Sequence, residues 1–366
     1  MIPINAPQIS EREIEMVTKV LKSGILTARV GSSSMVASFE QAYAKLVGAK
    51  HAVAVNSGTA ALHMALLAAG VKPRDEVIVP SFTFVATAEA VVLCGAKPVF
   101  VDIDLQTYNV DEEKLRKAVN AKTRAVIPVD LYGLSADMQA ISKIAKEHDL
   151  AVIEDAAQAH GASYRGKHPG YFADMACWSF YASKNMTTGE GGMITTNNDE
   201  YADTLRCMRS HGEKGEYVSI MLGHNYRMPE IQAAIGIAQL EKLPAFLERR
   251  RRNAQHLTEE LGLVKRLTLP MEPEGYKHSW YLYTVRLHGS RAERDQAVEE
   301  LRRRGIGATV YYSTPVHLMP YYRHFATHGL PETEKASEQV FSLPVHPGVT
   351  RQETDFIADS VIEVVG

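Results

Sequence analysis

The sequence predicts an α/β fold, with a mostly parallel sheet flanked by helices and a smaller C-terminal α+β domain. Short apolar runs alternate with helix-like segments through the first two-thirds of the chain, which is typical of a parallel sheet covered on both faces. After about residue 229 this alternation ends and a long helical pattern begins. The 366 residues are enough for two domains, which we place at 1–245 and 246–366, with the N-terminal segment able to pack on the smaller one.

Capping residues and apolar runs define the elements of the larger domain. Ser10 and Glu13 form a capping-box pattern that begins the first helix, and Gly24 ends it. The predicted strands are Ala52–Val55, Val77–Pro80, Val99–Asp102, Ala125–Val129 and Ala151–Asp155. The helices predicted between them lie near Thr59–Ala69, Ala86–Leu93, Glu112–Val119 and Ala136–His148. Because ligands bind at the carboxyl ends of the strands in such sheets, we expect the functional site there.

The smaller domain follows a long predicted helix. Pro229 begins this helix, which runs to about Leu261 and is broken or kinked at Pro244. The elements predicted after it are a strand at Tyr281–Leu287, a helix at Arg291–Arg304, a strand at Ala308–Tyr312 and a last helix near Gln352–Val364. This mixture predicts an α+β domain.

Composition and charge argue against several classes of function. A formal net charge of −3 gives no field that favours nucleic acid, and the basic run Glu248–Arg252 is interpreted as a solvated helix face. Cys94, Cys177 and Cys207 have neither paired nor metal-ligand spacing, which predicts free thiols, a cytoplasmic location and no metal site. We see no signal-peptide pattern and no apolar run long enough to span a bilayer, so no membrane partner is expected.

The segment from Ser179 to Gly192 contains the most informative lysine of the chain. Lys184 follows a short apolar run and lies between a hydroxyl residue and a glycine-rich turn. Taken alone it could be a solvated surface lysine, as most lysines are. Its surroundings instead indicate a buried site rather than a solvated face, where a desolvated lysine can form a Schiff base with an aldehyde cofactor.

An acid ends the predicted strand before this segment. Asp155 could be a helix cap or a loop acid, but as a cofactor ligand it would pair with a protonated pyridine nitrogen. Gln158 could contact the same ring, whereas His160 is interpreted as a hydrogen-bonded structural histidine. An acid and a lysine on neighbouring strand ends are what pyridoxal phosphate chemistry requires.

A candidate phosphate site lies between the first predicted strand and the helix that follows it. Gly58 lets the backbone approach an anion, and the hydroxyls of Ser57 and Thr59 can donate to it beside free helix N–H groups. The same residues could form an ordinary N-cap with a tight turn. Ser179 can reach a phosphate as well, and Phe84 could either stack on a planar cofactor ring or pack in the core.

These motifs together resemble the DegT/DnrJ/EryC1/StrS family of nucleotide-sugar aminotransferases, which are pyridoxal phosphate enzymes of fold type I. The resemblance extends from Ile4 to the last helix, and the motifs occur in the family's order. The matching segments are Asn56–Leu62, Pro80–Thr87, Glu154–Gln158, Ser179–Asn185 and Asn225–Ala234.

The resemblance implies a role for each matching position. Lys184 would form the Schiff base and transfer protons, and Asp155 would bind the pyridine nitrogen. Asn225 would reach the phosphate of the neighbouring subunit's cofactor, which implies an obligate homodimer with two shared sites. The remaining implied contacts, to the cofactor phosphate and ring, are Ser57, Gly58, Thr59, Ser179, Phe84 and Gln158.

Two segments depart from the family's usual pattern. Many members have a Gly-Pro-type turn where this chain reads Leu26–Ser34, a region that often borders the substrate. Many also carry a histidine-tyrosine pair where this chain has Tyr311 and Tyr312, with His317 further on. These three residues are therefore candidate sugar or nucleotide contacts. Some relatives replace the lysine by histidine and act as dehydratases, so the presence of Lys184 implies a transaminase.

The implied reaction transfers an amino group from L-glutamate to a nucleoside-diphosphate keto-sugar, preferably a 4-keto-6-deoxysugar. The products are an amino sugar and 2-oxoglutarate. Two alternatives within the family stay open, namely a cyclitol ketone as acceptor and the formation of an aminobenzoate. A third alternative is a non-catalytic sensor that binds the cofactor, and the intact set of Asp155, Lys184 and Asn225 argues against it.

Overall fold

The computed structural model describes residues 1–27, 34–215 and 217–366. The helices are α1 (Glu11–Ser23), α2 (Met35–Val47), α3 (Gly58–Ala68), α4 (Ala86–Leu93), α5 (Glu112–Ala118), α6 (Met138–Glu147), α7 (Asp199–Arg209), α8 (Glu230–Leu261), α9 (Arg291–Arg303), α10 (Pro331–Gln339) and α11 (Arg351–Val365). The strands are β1 (His51–Val55), β2 (Glu76–Pro80), β3 (Lys97–Val101), β4 (Thr123–Val126), β5 (Ala151–Asp155), β6 (Ser163–Tyr164), β7 (Met175–Ser179), β8 (Gly192–Thr196), β9 (Leu267–Thr268), β10 (Tyr276–Lys277), β11 (Tyr283–Leu287) and β12 (Val340–Leu343). Short 3₁₀ helices cover Leu131–Gly133, Val316–Leu318 and Arg323–Phe325.

A seven-stranded sheet carries the larger part of the fold, with the strand order β1-β8-β7-β5-β4-β2-β3. β8 runs antiparallel to both of its neighbours, and the other neighbouring pairs are parallel. Residues of both sheet faces are buried, as Val53 and Ala54 on β1 illustrate, because helices cover both sides. The predicted α/β fold with a mostly parallel sheet is therefore confirmed. The carboxyl ends of β1, β7 and β5 lie at one edge of this sheet.

The first helix forms as its end signals predict. Glu13 accepts hydrogen bonds from the backbone N–H and the hydroxyl of Ser10, at 2.8 and 2.7 Å. Gly24 ends the helix with a φ of 68°, a left-handed conformation that glycine adopts without steric cost.

A second core surrounds the antiparallel sheet β12-β11-β9 and the helices α9 and α11. Ile2 packs in this core and its N–H donates to the carbonyl of Gly305 at 2.7 Å, so the start of the chain lies against the C-terminal part. α8 continues as a helix through Pro244 and contributes Ala254, Leu257 and Leu261 to the same core. The domain division at 245 stays a prediction, and α8 extends across it.

Two predictions for the C-terminal part are wrong. Ala308–Tyr312 is not a strand, since only Thr309 pairs with Ser342 and Tyr312 adopts a φ of 62°, which ends the extended backbone. The run Glu248–Arg252 is not a uniformly solvated face, because Arg250 is buried. This arginine lies on the same side of α8 as Ala254, and helix periodicity turns that side towards the second core.

The structure allows the cysteines and the helices to be compared with the predictions in the residues that it describes. Cys94, Cys177 and Cys207 all carry free thiols. Within the described ranges, no helix combines the length and the apolar character that crossing a bilayer requires. Residues 28–33 of the segment Leu26–Ser34, where the sequence departs from the family pattern, lie outside the described residues.

Candidate active site

The candidate site lies where the carboxyl ends of β1, β7 and β5 meet the amino end of β8. Gly192, the first residue of β8, pairs with Val55 on one side and with Ser179 on the other. Asp155 ends β5, which is the next parallel neighbour of β7. The topology therefore brings together motifs that lie more than 130 residues apart in the sequence.

The turn from β1 to α3 begins a helix whose first N–H groups could bind an anion. Ser57 is the N-cap of α3 and its hydroxyl accepts from the N–H of Ala60 at 3.1 Å. The first-turn N–H groups of Gly58 and Thr59 have no partner within the helix and add to its positive end.

Two glycines allow the close approach of the chain segments at this turn. A Cβ on Gly58 would lie 2.9 Å from the Cβ of Ser179, and a Cβ on Gly192 would overlap the carbonyl of Ser57. Ser57, Gly58, Thr59 and Ser179 therefore lie side by side, as a shared phosphate site requires.

Asp155 is a buried carboxylate with two hydrogen-bond donors. The hydroxyl of Thr87 donates to Oδ2 at 2.8 Å, and the N–H of Ala157 donates to Oδ1 at 3.2 Å. Burial raises the pKa of Asp155, and Thr87, Ala157 and the positive charge of Lys184 act in the opposite direction. A protonated ring nitrogen beside this carboxyl would supply the cation that a buried carboxylate needs.

Lys184 is half-buried beside an aromatic ring. Its Nζ lies 4.7 Å from the ring centroid of Tyr281. The backbone N–H of Lys184 donates to the carbonyl of Tyr181 at 2.9 Å. The neighbouring Ser183 forms a hydrogen bond of 2.9 Å with the hydroxyl of Tyr281. Among the residues that the structure describes, no carboxylate lies within ion-pair distance of the amine, so it is available to an aldehyde.

Gln158 is fixed by two hydrogen bonds beside the site. Its Oε1 accepts from the N–H of Tyr132 at 2.8 Å, and its Nε2 donates to the hydroxyl of Tyr312 at 2.9 Å. The rings of Tyr312 and Tyr132 stack at 6.1 Å and 16°. Tyr311 lies next to them, and its hydroxyl accepts from Asn5 at 3.3 Å. Of the three predicted substrate contacts, Tyr312 is therefore the one joined directly to a predicted cofactor contact.

The two histidines that the sequence singled out are both buried and hydrogen-bonded. His317 lies with Nδ1 2.7 Å from the hydroxyl of Ser81 and Nε2 3.3 Å from Glu334, and its substrate contact stays a prediction. His160 donates from Nε2 to the carbonyl of Ser179 at 2.7 Å, so its Nδ1 accepts from Tyr43. Burial lowers the pKa of His160 to about 4, and the neutral ring is a structural hydrogen-bonding group, as predicted.

Phe84 and Asn225 are open to solvent in the single chain. The Phe84 side chain is 58% exposed, which is unusual for a phenylalanine and leaves a ring face free to stack on a planar group. Asn225 is exposed and pairs through its backbone with Ser210, while the carbonyl of the adjacent Tyr226 accepts from the N–H of Asn56 at 2.9 Å. Asn225 thus belongs to a segment that borders the predicted phosphate turn.

The residues present fit pyridoxal phosphate. The turn at Gly58 and Ser179 could hold the phosphate, and the buried carboxylate of Asp155 could accept from a ring N–H. Lys184 could supply the amine, since in the part of the chain that the structure describes it forms no ion pair. Phe84 provides an exposed ring face on the strand β2 side. When bound, the cofactor would add an aldehyde and an electron-accepting ring.

The sequence did not predict the contacts of three residues of this site. Thr87 was part of a matching motif, but its hydrogen bond to Asp155 was not predicted. Gly192 was part of a glycine-rich turn, and its position between two parallel strands was not predicted. Tyr281 was assigned only to a strand, because nothing in the local pattern connects it with Lys184.

A buried pair of carboxyl groups lies behind Asp155. Asp130 and Glu154 are almost fully buried, and each has one carboxyl oxygen that finds no hydrogen-bond partner among the described residues. Burial raises the pKa of Glu154 to about 7, with the N–H of Gly170 opposing it. Burial and then the charge of Glu154 raise the pKa of Asp130 well above its usual value. The N–H of Asp130 donates to the carbonyl of Asp155 at 3.1 Å, so the pair borders the candidate cofactor acid.

We expect this pair to make the protein less stable as the pH rises. A carboxyl group whose pKa is higher in the folded than in the unfolded protein stabilises the folded state. This contribution is complete below the unfolded pKa, and it is lost as the pH rises through the folded pKa. For Glu154 the window runs from about 4.5 to about 7, and the loss should amount to roughly 2–3 kcal/mol of unfolding free energy. Urea unfolding between pH 5 and 8 measures it. Glu154→Gln should flatten the slope and the exposed Glu259→Gln should not, whereas an unchanged slope in Glu154→Gln would refute this account.

Comparisons with known proteins show the family of the chain. Residues 7–362 match the model of the DegT/DnrJ/EryC1/StrS aminotransferase family. The GDP-perosamine synthase of Caulobacter vibrioides is 42% identical over 368 residues, which covers 100% of this chain and 98% of the relative. The structure of S. venezuelae DesV superposes with a TM-score of 0.92 at 37% identity, covering 96% of this chain and 94% of DesV.

A further solved structure bears on the cofactor. Spr1654 of Streptococcus pneumoniae superposes with a TM-score of 0.94 at 29% identity, covers 100% of this chain and 97% of its own in the PMP form, and has also been solved in a PLP form. The chain therefore belongs to the DegT/DnrJ/EryC1/StrS aminotransferase family, whose members are PLP-dependent sugar aminotransferases with the fold of type I transferases.

Proposed function

We propose that this protein transfers an amino group from L-glutamate to a nucleoside-diphosphate keto-sugar, with a 4-keto-6-deoxysugar as the preferred acceptor. The observation that carries the proposal is the convergence of Lys184, Asp155 and the Gly58 turn at one sheet edge. The name of the Caulobacter relative, a GDP-perosamine synthase, supports a nucleotide-linked sugar as acceptor.

Lys184 has two tasks in this mechanism. Pyridoxal phosphate, when bound, supplies an aldehyde and a ring that takes up the electron pair released at the donor's α-carbon. Nζ of Lys184 would hold the cofactor through its aldehyde carbon, with release of water, and once displaced by the donor's amine it would take up the proton of the donor's α-carbon. In the second half of the reaction the same amine would deliver a proton to the sugar carbon that receives the amino group.

Asp155 and the phosphate turn hold the ring in place. The carboxylate of Asp155 would accept from the ring N–H, and Thr87 fixes this carboxylate through its hydrogen bond of 2.8 Å. Ser57, Gly58 and Ser179 would hold the phosphate at the positive end of α3. Because these residues lie at strand and helix ends, rigid parts of the fold would hold the ring.

The substrate side is built from aromatic hydroxyls. Tyr312 is joined to Gln158, and Tyr311 lies beside it, so a sugar above the ring would meet both hydroxyls. His317 is the third candidate and would first have to release Ser81 or Glu334. Phe84, exposed in the single chain, offers a face to the cofactor.

We propose a homodimer in which Asn225 acts on the cofactor of the partner. The segment just before Asn225 exposes several large apolar side chains, which are costly to leave in water and favour burial against a second copy. They are Tyr217, Val218, Ile220, Met221 and Leu222. The three free thiols favour a cytoplasmic location for this assembly.

Leu222→Asp is expected to weaken the dimer. Leu222 is 84% exposed in the single chain, and a buried charge at a subunit interface would cost several kcal/mol of association free energy. Sedimentation at micromolar concentration should show a shift to monomers and a parallel loss of bound cofactor. The matched control is Leu263→Asp, since Leu263 is 92% exposed in another loop. Unchanged dimers in Leu222→Asp would remove this segment from the interface.

Mixed dimers test whether Asn225 acts across the interface. Lys184→Ala and Asn225→Ala homodimers should both be weak or inactive. If the two residues of one site come from different subunits, a hybrid of the two variants contains one intact site and regains up to half of the wild-type activity per dimer. If both residues come from the same subunit, the hybrid stays inactive and the shared site is refuted.

Binding of the nucleotide distinguishes the proposed acceptor from the alternatives. Calorimetry with GDP, UDP and dTDP on the cofactor-loaded protein should detect one nucleotide, and the matching 4-keto-6-deoxysugar should be aminated at the expense of L-glutamate. If no nucleotide binds and a cyclitol ketone is aminated instead, the nucleotide-sugar proposal is wrong.

A further inference from the structure

Tyr281 lies directly beneath the amine of Lys184. The distance from Nζ to the ring centroid is 4.7 Å, within the range in which an ammonium is attracted by the negative face of an aromatic ring. The Tyr281 side chain is buried, so this attraction acts away from bulk water. The contact joins residues almost one hundred positions apart in the sequence.

Tyr281 forms hydrogen bonds through both its hydroxyl and its backbone carbonyl. Its hydroxyl forms a hydrogen bond of 2.9 Å with Ser183, the residue before Lys184. Its backbone carbonyl accepts from Nη1 of Arg250 at 3.1 Å, and the same nitrogen donates to the carbonyl of Trp280 at 3.1 Å. Arg250 is buried on α8, which makes this a fixed attachment to the second core. The ring therefore cannot move away from the Ser183–Lys184 segment without breaking one of these bonds.

The other charged groups near Lys184 do not provide an equivalent partner. The positive charge of Lys184 lowers the pKa of Asp155, so the two groups interact electrostatically. The carboxylate of Asp155 is hydrogen-bonded to Thr87 and Ala157, however, and lies beyond ion-pair distance of Nζ. His160 faces the same region as a neutral ring. A carboxylate paired with the amine would hold it away from an aldehyde, whereas an aromatic face attracts the ammonium without forming a hydrogen bond to it.

We propose that Tyr281 is a positioning residue that holds the Lys184 amine above its ring face whenever that amine is not joined to the cofactor. Arg250 and Ser183 fix the ring for this purpose, from the second core and from the lysine segment respectively. The proposal rests on the proposed aminotransferase function, because only in that reaction is the lysine amine released from the cofactor in every cycle. It gives the C-terminal part of the chain a direct role at the reacting amine.

The test compares two rings of the same shape. The full-length, cofactor-free protein is reductively methylated with ¹³C, and the methyl signals of Lys184 are recorded by NMR at neutral pH; Lys184→Arg identifies those signals by their absence. Tyr281→Phe keeps the ring face and the bond from Arg250 to the carbonyl, so the ring should still displace the Lys184 signals from those of exposed lysines. Tyr281→pentafluorophenylalanine reverses the charge of the face, repels the ammonium and should return the Lys184 signals to the position of exposed lysines.

Lys184 signals that keep the wild-type position in the fluorinated variant would overturn the proposal, as would loss of their displacement in Tyr281→Phe. Because the two rings have nearly the same shape, the fold should survive in both variants, and thermal unfolding checks this. The NMR measurement needs no donor, acceptor or cofactor, so its failure is separate from a failure of the aminotransferase proposal.

Discussion

Lys184→Ala should abolish amino transfer while leaving the fold intact. The variant loses both the group that binds the aldehyde and the base that moves the proton, so we expect kcat to fall by roughly four orders of magnitude or more. The side chain is half-buried and, among the described residues, forms no ion pair, so its removal should cost little stability. Steady-state kinetics and thermal unfolding measure the two effects.

Two further variants sharpen this prediction. Lys184→Arg keeps a positive charge near Tyr281 but cannot provide a free amine at neutral pH, so it should be as inactive as the alanine variant. The exposed Lys72→Ala is the matched control and should retain full activity. Activity above one-tenth of wild type in Lys184→Ala would contradict the assigned role.

Asp155→Asn should lower kcat by roughly two to four orders of magnitude without unfolding the protein. Asparagine has the same shape: its carbonyl oxygen can accept from the N–H of Ala157, and its amide nitrogen can donate to the hydroxyl of Thr87. It has no negative charge with which to hold a protonated ring nitrogen. Because burial opposes the charged form of Asp155, the cofactor-free variant should be at least as stable as wild type. Low activity that is explained entirely by unfolding would contradict this account.

The hydrogen bond from Thr87 allows a finer test of the same carboxylate. This bond lowers the pKa of Asp155, so Thr87→Val should raise that pKa. The acidic limb of the rate-against-pH profile should therefore move to higher pH, with little change at the plateau. Thr83→Val is the matched control: Thr83 lies in the turn before α4 and its hydroxyl is bonded to that of Thr87, but among the described residues it forms no hydrogen bond with Asp155. An unmoved acidic limb in Thr87→Val would show that this bond does not set the charge of Asp155.

The parts of the site that the sequence predicts are polar residues that directly follow an apolar run. Asp155 and the Ser57–Thr59 turn each follow an apolar strand, and polar residues at strand ends of a parallel sheet are expected to converge. Lys184 was recognisable from its position after β7, although β7 itself was taken only as an apolar run. The capping signals of α1 were equally local and were equally well predicted.

The parts that were not predictable depend on pairings between distant segments. β8 follows a glycine-rich turn and inserts antiparallel between β1 and β7, which an alternation of strands and helices does not indicate. Tyr281 meets Lys184 across almost one hundred positions of sequence, and Arg250 of α8 donates to the carbonyl of Tyr281 at this place. Tyr312 ends an apparent strand because its backbone turns left-handed beside Gln158.

The most direct test of the central claim is the visible spectrum of the cofactor-loaded protein before and after addition of L-glutamate. The account predicts that the band of the lysine-bound cofactor disappears, that a pyridoxamine-type band grows, and that one 2-oxoglutarate is released for each site. Lys184→Ala protein treated in the same way should show no such change. A wild-type band that persists in saturating L-glutamate would contradict the claim that this chain accepts an amino group from glutamate.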